Sequence, residues 1–460
     1  MPSLELALDN GFRLNASGFC LHKTQTPLWL EEELQRHRQK LEASFQAITR
    51  LQNEGKVSTA PGKETSIGFV KLPHLPRQNP KLWEDIFAWQ EKILKNYKNL
   101  IVIGIGGSYL GGKMLVEALS SPLRNLRITQ GKESGVRLFF AGENVDPIPL
   151  ECLMETLDPQ QSALLVISKS GTTLEPTAAF LTLARWRGAE FAHHTTAITD
   201  PHQGALRDFA LRENIPLFPI PPDVGGRWSV LSPVGLLVAA AAGIDIENLL
   251  AGARHLETSL KEKDIWKNPP FLYATLMHLA QLYGRTESVI MPYSSRLLYF
   301  AQWYVQLLAE SLGKKYTRQG YKIHTGRTPI VSIGTSDMHS QTQLHQDGPR
   351  NKVITFLRIQ NHPSSLEVPP LSRTLEGEEK LKGRKFQDLL HAALDANQKA
   401  LQEDHRPYVE ITLPQLNAYY FGELIYFFQF ATAWEGELLD VNSYDQPGVE
   451  QYKRHLQQQL

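Results

Sequence analysis

Five short apolar runs, Leu100–Ile103, Val136–Phe140, Leu164–Ile167, Thr196–Ile198 and Leu217–Ile220, are each closely followed by Gly, Ser, Asp or Pro and separated by helical patterns. Runs of this kind fit strands covered on both faces, and parallel strands need helical crossovers between them. The segment therefore folds as an α/β unit around a parallel sheet. After a charged helical bridge at Glu247–Lys267, the runs Ser288–Met291, Pro329–Ile333 and Val353–Arg358 predict a second unit of the same kind. No short-period repeat is present, and two similar halves are compatible with the pattern. Ahead of the first set, helical spacing over Leu30–Leu51 and a stretch rich in Gly, Pro, Ser and Thr over Gly55–Pro80 predict a helix and then a loop. Behind the second set, a Pro-rich charged segment, Pro363–Arg384, leads into helices over Leu416–Leu439 and Pro447–Gln459. The expected division is an N-terminal helical and loop extension over 1–80, α/β domains over 81–245 and 246–435, and a C-terminal helical segment over 436–460.

Charge balance narrows the partners. Across 460 residues, 48 Lys and Arg face 48 Asp and Glu, so the chain lacks the basic excess that marks a nucleic-acid binder. Cys20 and Cys152 are the only cysteines, without metal-ligand or disulfide spacing, and are expected to be buried thiols in a reducing compartment. The N-terminus carries acids early and does not read as a signal peptide. Val230–Ile244, the longest apolar stretch, contains Ser232 and Pro233 and falls short of the ~20 residues of a membrane helix. A buried helix fits it better. The expectation is a cytoplasmic protein that binds neither nucleic acid nor membrane.

In NLIVIGIGGSYLGGKM an apolar strand runs into Gly104, Gly106, Gly107 and Ser108, where backbone N–H groups can approach an anion. Tyr109 breaks a dinucleotide fingerprint, and Met114 replaces the Ser or Thr that a nucleotide phosphate loop needs for its cation. Two readings stay open: a phosphate loop, or a tight strand-to-helix turn. The later stretch LLVISKSGTTLEP sets Ser168, Lys169, Ser170, Gly171, Thr172 and Thr173 between a buried strand and a helix beginning near Glu175. Hydroxyls, unpaired N–H groups and the positive end of a helix together suit a phosphate monoester and need no metal. Helix capping would account for one hydroxyl and leave the others idle.

Single charged residues follow. Arg227 comes directly after Gly225 and Gly226, and its forked, permanent charge suits a phosphate or an enediolate; a surface salt bridge is the alternative. Gln306 and Glu310 are i,i+4 neighbours in the helical pattern Ser295–Leu312, where a desolvated carboxylate would serve as a base. His339 and His345 both lie in the polar segment after Pro329–Ile333, and the residues alone do not choose between them. In VNSYDQPGVEQYK, Asp445 and Pro447 read as a helix start, with Lys453 on the second turn, where a solvated lysine is the plain alternative.

Taken together, GIGGSYLGG, SKSGTTLEP, GGRWSVLSPVGLL, GTSDMHSQTQ, ESLGK and VNSYDQPGVEQYK resemble the glucose-6-phosphate isomerase family, also called phosphoglucose isomerase, of the bacterial type. The first hundred residues resemble it only loosely, apart from SIGFVKLP. The resemblance implies two sugar-isomerase (SIS) α/β-sandwich domains with parallel central sheets, a helical N-terminal lead-in and a C-terminal helix completing the active site. It implies interconversion of glucose 6-phosphate and fructose 6-phosphate by ring opening and a cis-enediol, with no cofactor and no metal. By the matching motifs, Ser168, Lys169, Ser170 and Thr173 would hold the phosphate, while Gly107 and Ser108 would line the sugar pocket. Gly226, Gln306 and Gln446 would contact the substrate as well. Glu310 would carry the proton and Arg227 would stabilise the enediolate. The resemblance selects His339, acting with Lys453, for ring opening, and supplies it from the neighbouring subunit of a homodimer. Leu174 departs from the polar residue common at its position, which touches only fine substrate contacts. A non-catalytic sugar-phosphate-binding regulator of the same fold is the alternative function, and the presence of Glu310, Arg227, His339 and Lys453 argues against it.

Overall fold

A computed structural model describes residues 4–21, 27–370 and 375–459. Residues 1–3 and 22–26 of the expected N-terminal extension, 371–374 of the Pro-rich segment, and residue 460 lie outside the described residues. The chain divides into two compact units, one of Arg50–His255 with Tyr444–Pro447, the other of Met1–Thr49, Leu256–Ser443 and Gly448–Leu460. This differs from the expected domains at both chain ends.

The N-terminal segment is the larger difference. β1 (Glu5–Ala7) and β2 (Arg13–Asn15) pair with each other and add antiparallel strands to the sheet of the second unit. The predicted helix over Leu30–Leu51 is two helices, Pro27–Arg36 and Arg38–Glu54, separated at His37. The stretch predicted as a loop contains a hairpin, β3 (Lys56–Ala60) and β4 (Lys63–Ser66), followed by helical turns. Pro61 and Gly62, which prompted the loop reading, form the turn of that hairpin.

The first unit is built on five parallel strands, β5 (Asn99–Ile103), β6 (Arg137–Ala141), β7 (Ser162–Ile167), β8 (Thr195–Thr199) and β9 (Leu217–Pro219), in the order β6-β5-β7-β8-β9. Every residue of β5, β7 and β8 is buried, which is why these strands read as apolar runs without alternation. Ile101, Ile103, Leu164 and Val166 pack against Phe180 and Leu183 of the helix Leu174–Arg187. The stretch around Val230 becomes the helix Pro233–Ala241, buried along its whole length; Ser232 caps it by accepting from Val234 N at 3.3 Å.

The second unit contains β10 (Glu287–Pro292), the short hairpin β11 (Lys314–Tyr316) and β12 (Lys322–Thr325), then β13 (Thr328–Val331), β14 (Lys352–Asn361) and β15 (Tyr408–Gln415). Its sheet runs β1-β2-β15-β14-β10-β13, with β10, β13, β14 and β15 parallel. In both units the first parallel strand lies between the second and the third. That reversal is where open α/β sheets form a crevice beyond the strand ends. The helix Ala418–Leu439 is buried along most of its length, and its Trp434 stacks on Phe271 with ring centroids 4.7 Å apart. Both thiols differ from expectation: Cys152 is exposed and Cys20 half-buried, because the helix Pro147–Thr156 has no buried residue and Cys20 lies outside the strands.

Candidate active site

In the first unit, the loops after β5 and β7 flank the point where the strand order reverses. Gly107 begins the helix Gly107–Leu119, and a β-carbon placed on it would collide with the backbone of Gly226. The glycine pair thus lets two loops touch backbone to backbone, with Ser108 beside the contact. After β7, Gly171 has φ +74° and its missing side chain leaves room for Leu206 N at the start of the helix Ala205–Arg212. Ala205 N donates to Ser170 O at 2.9 Å, and Thr199 Oγ1 to Lys169 O at 3.3 Å, so the β8 end holds the Ser168–Thr173 loop from below.

The loop hydroxyls are arranged locally. Ser168 Oγ accepts from Gly171 N at 3.0 Å, and Ser170 Oγ accepts from Thr172 N at 3.2 Å. Thr173 occupies the N-cap of the helix Leu174–Arg187 without a side-chain cap bond. Capping therefore does not explain its hydroxyl, and the helix presents its positive end at this loop. Lys169 Nζ donates to Pro222 O at 2.9 Å and Val224 O at 3.3 Å, which ties the loop to the residues just before Gly226.

Arg227 is not the surface ion pair that the sequence left open. It is 2% exposed, in the single turn Gly226–Trp228. One guanidinium nitrogen donates to Gln446 Oε1 at 2.9 Å and the other to Asp445 O at 3.1 Å. Trp228 stacks on Phe69 at 4.7 Å and lies 5.3 Å from the Tyr444 ring, so aromatic packing on both sides fixes the turn. Phe69 belongs to the SIGFVKLP segment, whose Gly68 N donates to Asp223 O at 2.9 Å.

In the second unit, Gln306 Nε2 donates to Glu310 Oε1 at 2.9 Å within the helix Leu298–Leu312. The i,i+4 spacing is realised as a hydrogen bond that orients the carboxylate. His339 is exposed at the end of the single turn Ser336–His339 after β13, whereas His345 is 4% exposed and packed inside. The His339 turn is braced by residues that sequence reasoning missed. Asp337 Oδ2 accepts from Ile333 N at 2.7 Å, Tyr293 donates to Met338 Sδ at 3.3 Å, and Asn397 Nδ2 donates to the Tyr293 oxygen at 3.1 Å. Burial pushes the Tyr293 phenol up to about 12, so it stays a donor at neutral pH. Asp337 had a local signal, an Asp closing on a backbone N–H four residues earlier; Tyr293 and Asn397 had none. Lys453 is exposed on the helix Val449–Gln459, which begins two residues beyond Pro447, and it pairs with Glu450 at 2.9 Å.

Among the described residues, no group of three or more His, Cys, Asp or Glu is placed to hold a metal ion, and no helix is long and apolar enough to cross a membrane. A family model described as phosphoglucose isomerase matches residues 81–459. The chain belongs to the phosphoglucose isomerase family. It is 37% identical over 394 residues to a glucose-6-phosphate isomerase of Carboxydothermus hydrogenoformans, covering 84% of this chain and 83% of that protein. With a glucose-6-phosphate isomerase of Rubrobacter xylanophilus the identity is 39% over 396 residues, covering 84% and 87%. Among solved structures, a hypothetical protein of Thermus thermophilus superposes with a TM-score of 0.84 at 34% identity, covering 97% of this chain and 99% of that one. A glucose-6-phosphate isomerase of Chlamydia trachomatis gives 0.82 at 23% identity, covering 99% and 89%, a likeness of fold. The phosphoglucose isomerase match spans both units and every motif from Gly104 to Lys453.

Proposed function

We infer that this member of the family interconverts glucose 6-phosphate and fructose 6-phosphate through ring opening and a cis-enediol. The observation that carries the reading is the family match over 81–459. The reaction moves one proton between neighbouring carbons, with no net redox change. It needs a base that returns its proton, a cation for the oxyanion and an anchor for the phosphate.

Ser168, Lys169, Ser170 and Thr173 anchor the phosphate at the positive end of the helix Leu174–Arg187, and Gly107 and Ser108 line the sugar pocket. Glu310, oriented by Gln306, takes the proton from one carbon and delivers it to the other. Arg227 stabilises the enediolate oxygen; its ties to Gln446 and Asp445 are preorganisation, since the guanidinium needs no rearrangement as charge develops. Gly226, Gln306 and Gln446 position the substrate. His339 and Lys453 move the ring-opening proton, with His339 supplied by the partner subunit of a homodimer. The enzyme works in the cytoplasm, without a cofactor or metal.

A coupled assay tests this: fructose 6-phosphate, chelator and no added cofactor, with glucose 6-phosphate as the product read out. Turnover is expected. Binding of the sugar phosphate without turnover would leave the non-catalytic regulator instead.

A further inference from the structure

For the ring opening proposed above, His339 must bring a ring nitrogen within hydrogen-bond reach of the oxygen that closes the sugar ring. Its own side chain does not fix it there. It is exposed and, among the described residues, makes no side-chain hydrogen bond. Its placement is therefore set by the backbone of the turn Ser336–His339. Nearby residues of the chain hold one side of that turn. Asp337 accepts from Ile333 N and from Ser340 Oγ, each at 2.7 Å, and Gln341 Nε2 donates to Val331 O at 3.1 Å.

The core holds the other side. Tyr293, buried directly after β10, lays its ring against Gly334, where a β-carbon would come within 2.5 Å of it. Its hydroxyl donates to Met338 Sδ at 3.3 Å, one residue before His339. One side chain thus grips the segment at both ends. Met338 in turn packs, with Leu390 and Ala393, against the apolar cluster that contains Val289, Met291 and Phe356. The Tyr293 oxygen accepts from Asn397 Nδ2 at 3.1 Å, and Asn397 is buried on the helix Phe386–Glu403. That donation occupies a lone pair and turns the hydroxyl proton towards Met338. An apolar pair of similar shape would pack as well, often at no cost in stability. What the polar pair adds is direction: it fixes Met338, and His339 follows.

We propose that Tyr293, aimed by Asn397, is a positioning residue for ring opening, holding His339 through Met338 at the place from which it meets the sugar. The inference rests on the isomerase reading and gives neither Tyr293 nor Asn397 a contact with substrate.

Ring opening is read apart from proton transfer in chains carrying Glu310→Gln, where the sugar opens and closes without isomerising. Exchange between the two anomers of glucose 6-phosphate, followed by NMR, then gives its rate. Tyr293→Phe keeps the ring on Gly334 and removes the hydroxyl, and should slow this exchange at least ~10-fold with binding of glucose 6-phosphate unchanged. Met338→Leu keeps the volume and removes the sulfur; it should act in the same direction, and it decides the matter if Tyr293→Phe does not fold. With Glu310 intact, Tyr293→Phe should lower isomerase kcat, yet cost no more than ~2-fold further on top of His339→Ala, because the two residues serve one step. Full additivity with His339→Ala would mean a general loss of structure and would overturn the proposal. So would unchanged anomer exchange in the folded variants. A parent chain that does not isomerise would sink the isomerase reading itself, a result distinct from an active parent indifferent to Tyr293→Phe.

Discussion

Lys169 holds its ammonium on two backbone carbonyls, Pro222 O and Val224 O, while its backbone belongs to the loop proposed to grip the phosphate. The side chain therefore fixes the loop and supplies charge to it. We expect Lys169→Ala to raise KM for sugar phosphates at least ~10-fold and to lower kcat less, because the lost charge serves binding more than proton transfer. An unchanged KM would count against the phosphate anchor. Glu310→Gln should do the reverse, lowering kcat by at least ~10²-fold with KM little changed, since the amide oxygen can still accept from Gln306 but cannot take a proton. Near-normal turnover would refute the assigned base. The hydroxyl cluster at Ser168–Thr173 and the Gln306–Glu310 pair were readable because their members are adjacent or one helical turn apart. The tie from Lys169 to residues 222 and 224 was not, because it depends on two strand ends meeting across more than fifty residues of chain.

Helices and strands follow the same logic one level up. β5, β7 and β8 were legible because burial on both faces leaves an apolar run, whereas β3 and β4 are largely exposed and look like loop. β15 escaped because it follows a long helix and carries Glu410 in its middle, where Arg358 neutralises it at 3.0 Å. The helix Pro269–Leu282 buries His278 at 3% exposure, and neither ring nitrogen finds a hydrogen-bond partner among the described residues. Its pKa falls to about 3, chiefly through burial, then through the nearby Lys40, His37 and Arg327. The unfolded chain takes up this proton near pH 6.5, so the contribution of neutral His278 to stability is complete above that pH and is lost as pH falls towards 3. One such group costs about 1.4 kcal/mol per pH unit across that window. Denaturant unfolding between about pH 6.5 and 5 should therefore show a shallower loss of stability in His278→Leu than in the parent. Parallel curves would assign the acid sensitivity to other groups.

At the scale of the molecule, the two parallel sheets share one strand order although no repeat is visible in the sequence. The shared feature is which strands exchange hydrogen bonds, and unrelated apolar residues satisfy that equally well. Apart from Gln446 and Lys453, which come after the helix Ala418–Leu439, both units place their proposed functional residues on segments that follow strands: beyond β5, β7 and β9 in the first, and beyond β10 and β13 in the second. The proposed supply of His339 by a partner subunit makes a prediction that only the assembly can answer. Chains carrying Glu310→Gln and chains carrying His339→Ala, each nearly inactive alone, are unfolded together and refolded. If His339 acts across a two-fold interface, half of the dimers are mixed, and each holds one site with both residues intact and one with neither. Activity should then return to about a quarter of the unsubstituted enzyme. If His339 acts within its own chain, every site keeps one defect and nothing returns. Sedimentation of the refolded mixture shows whether dimers formed, so a null result on a dimer would overturn the trans assignment, and active monomers would overturn the dimer itself.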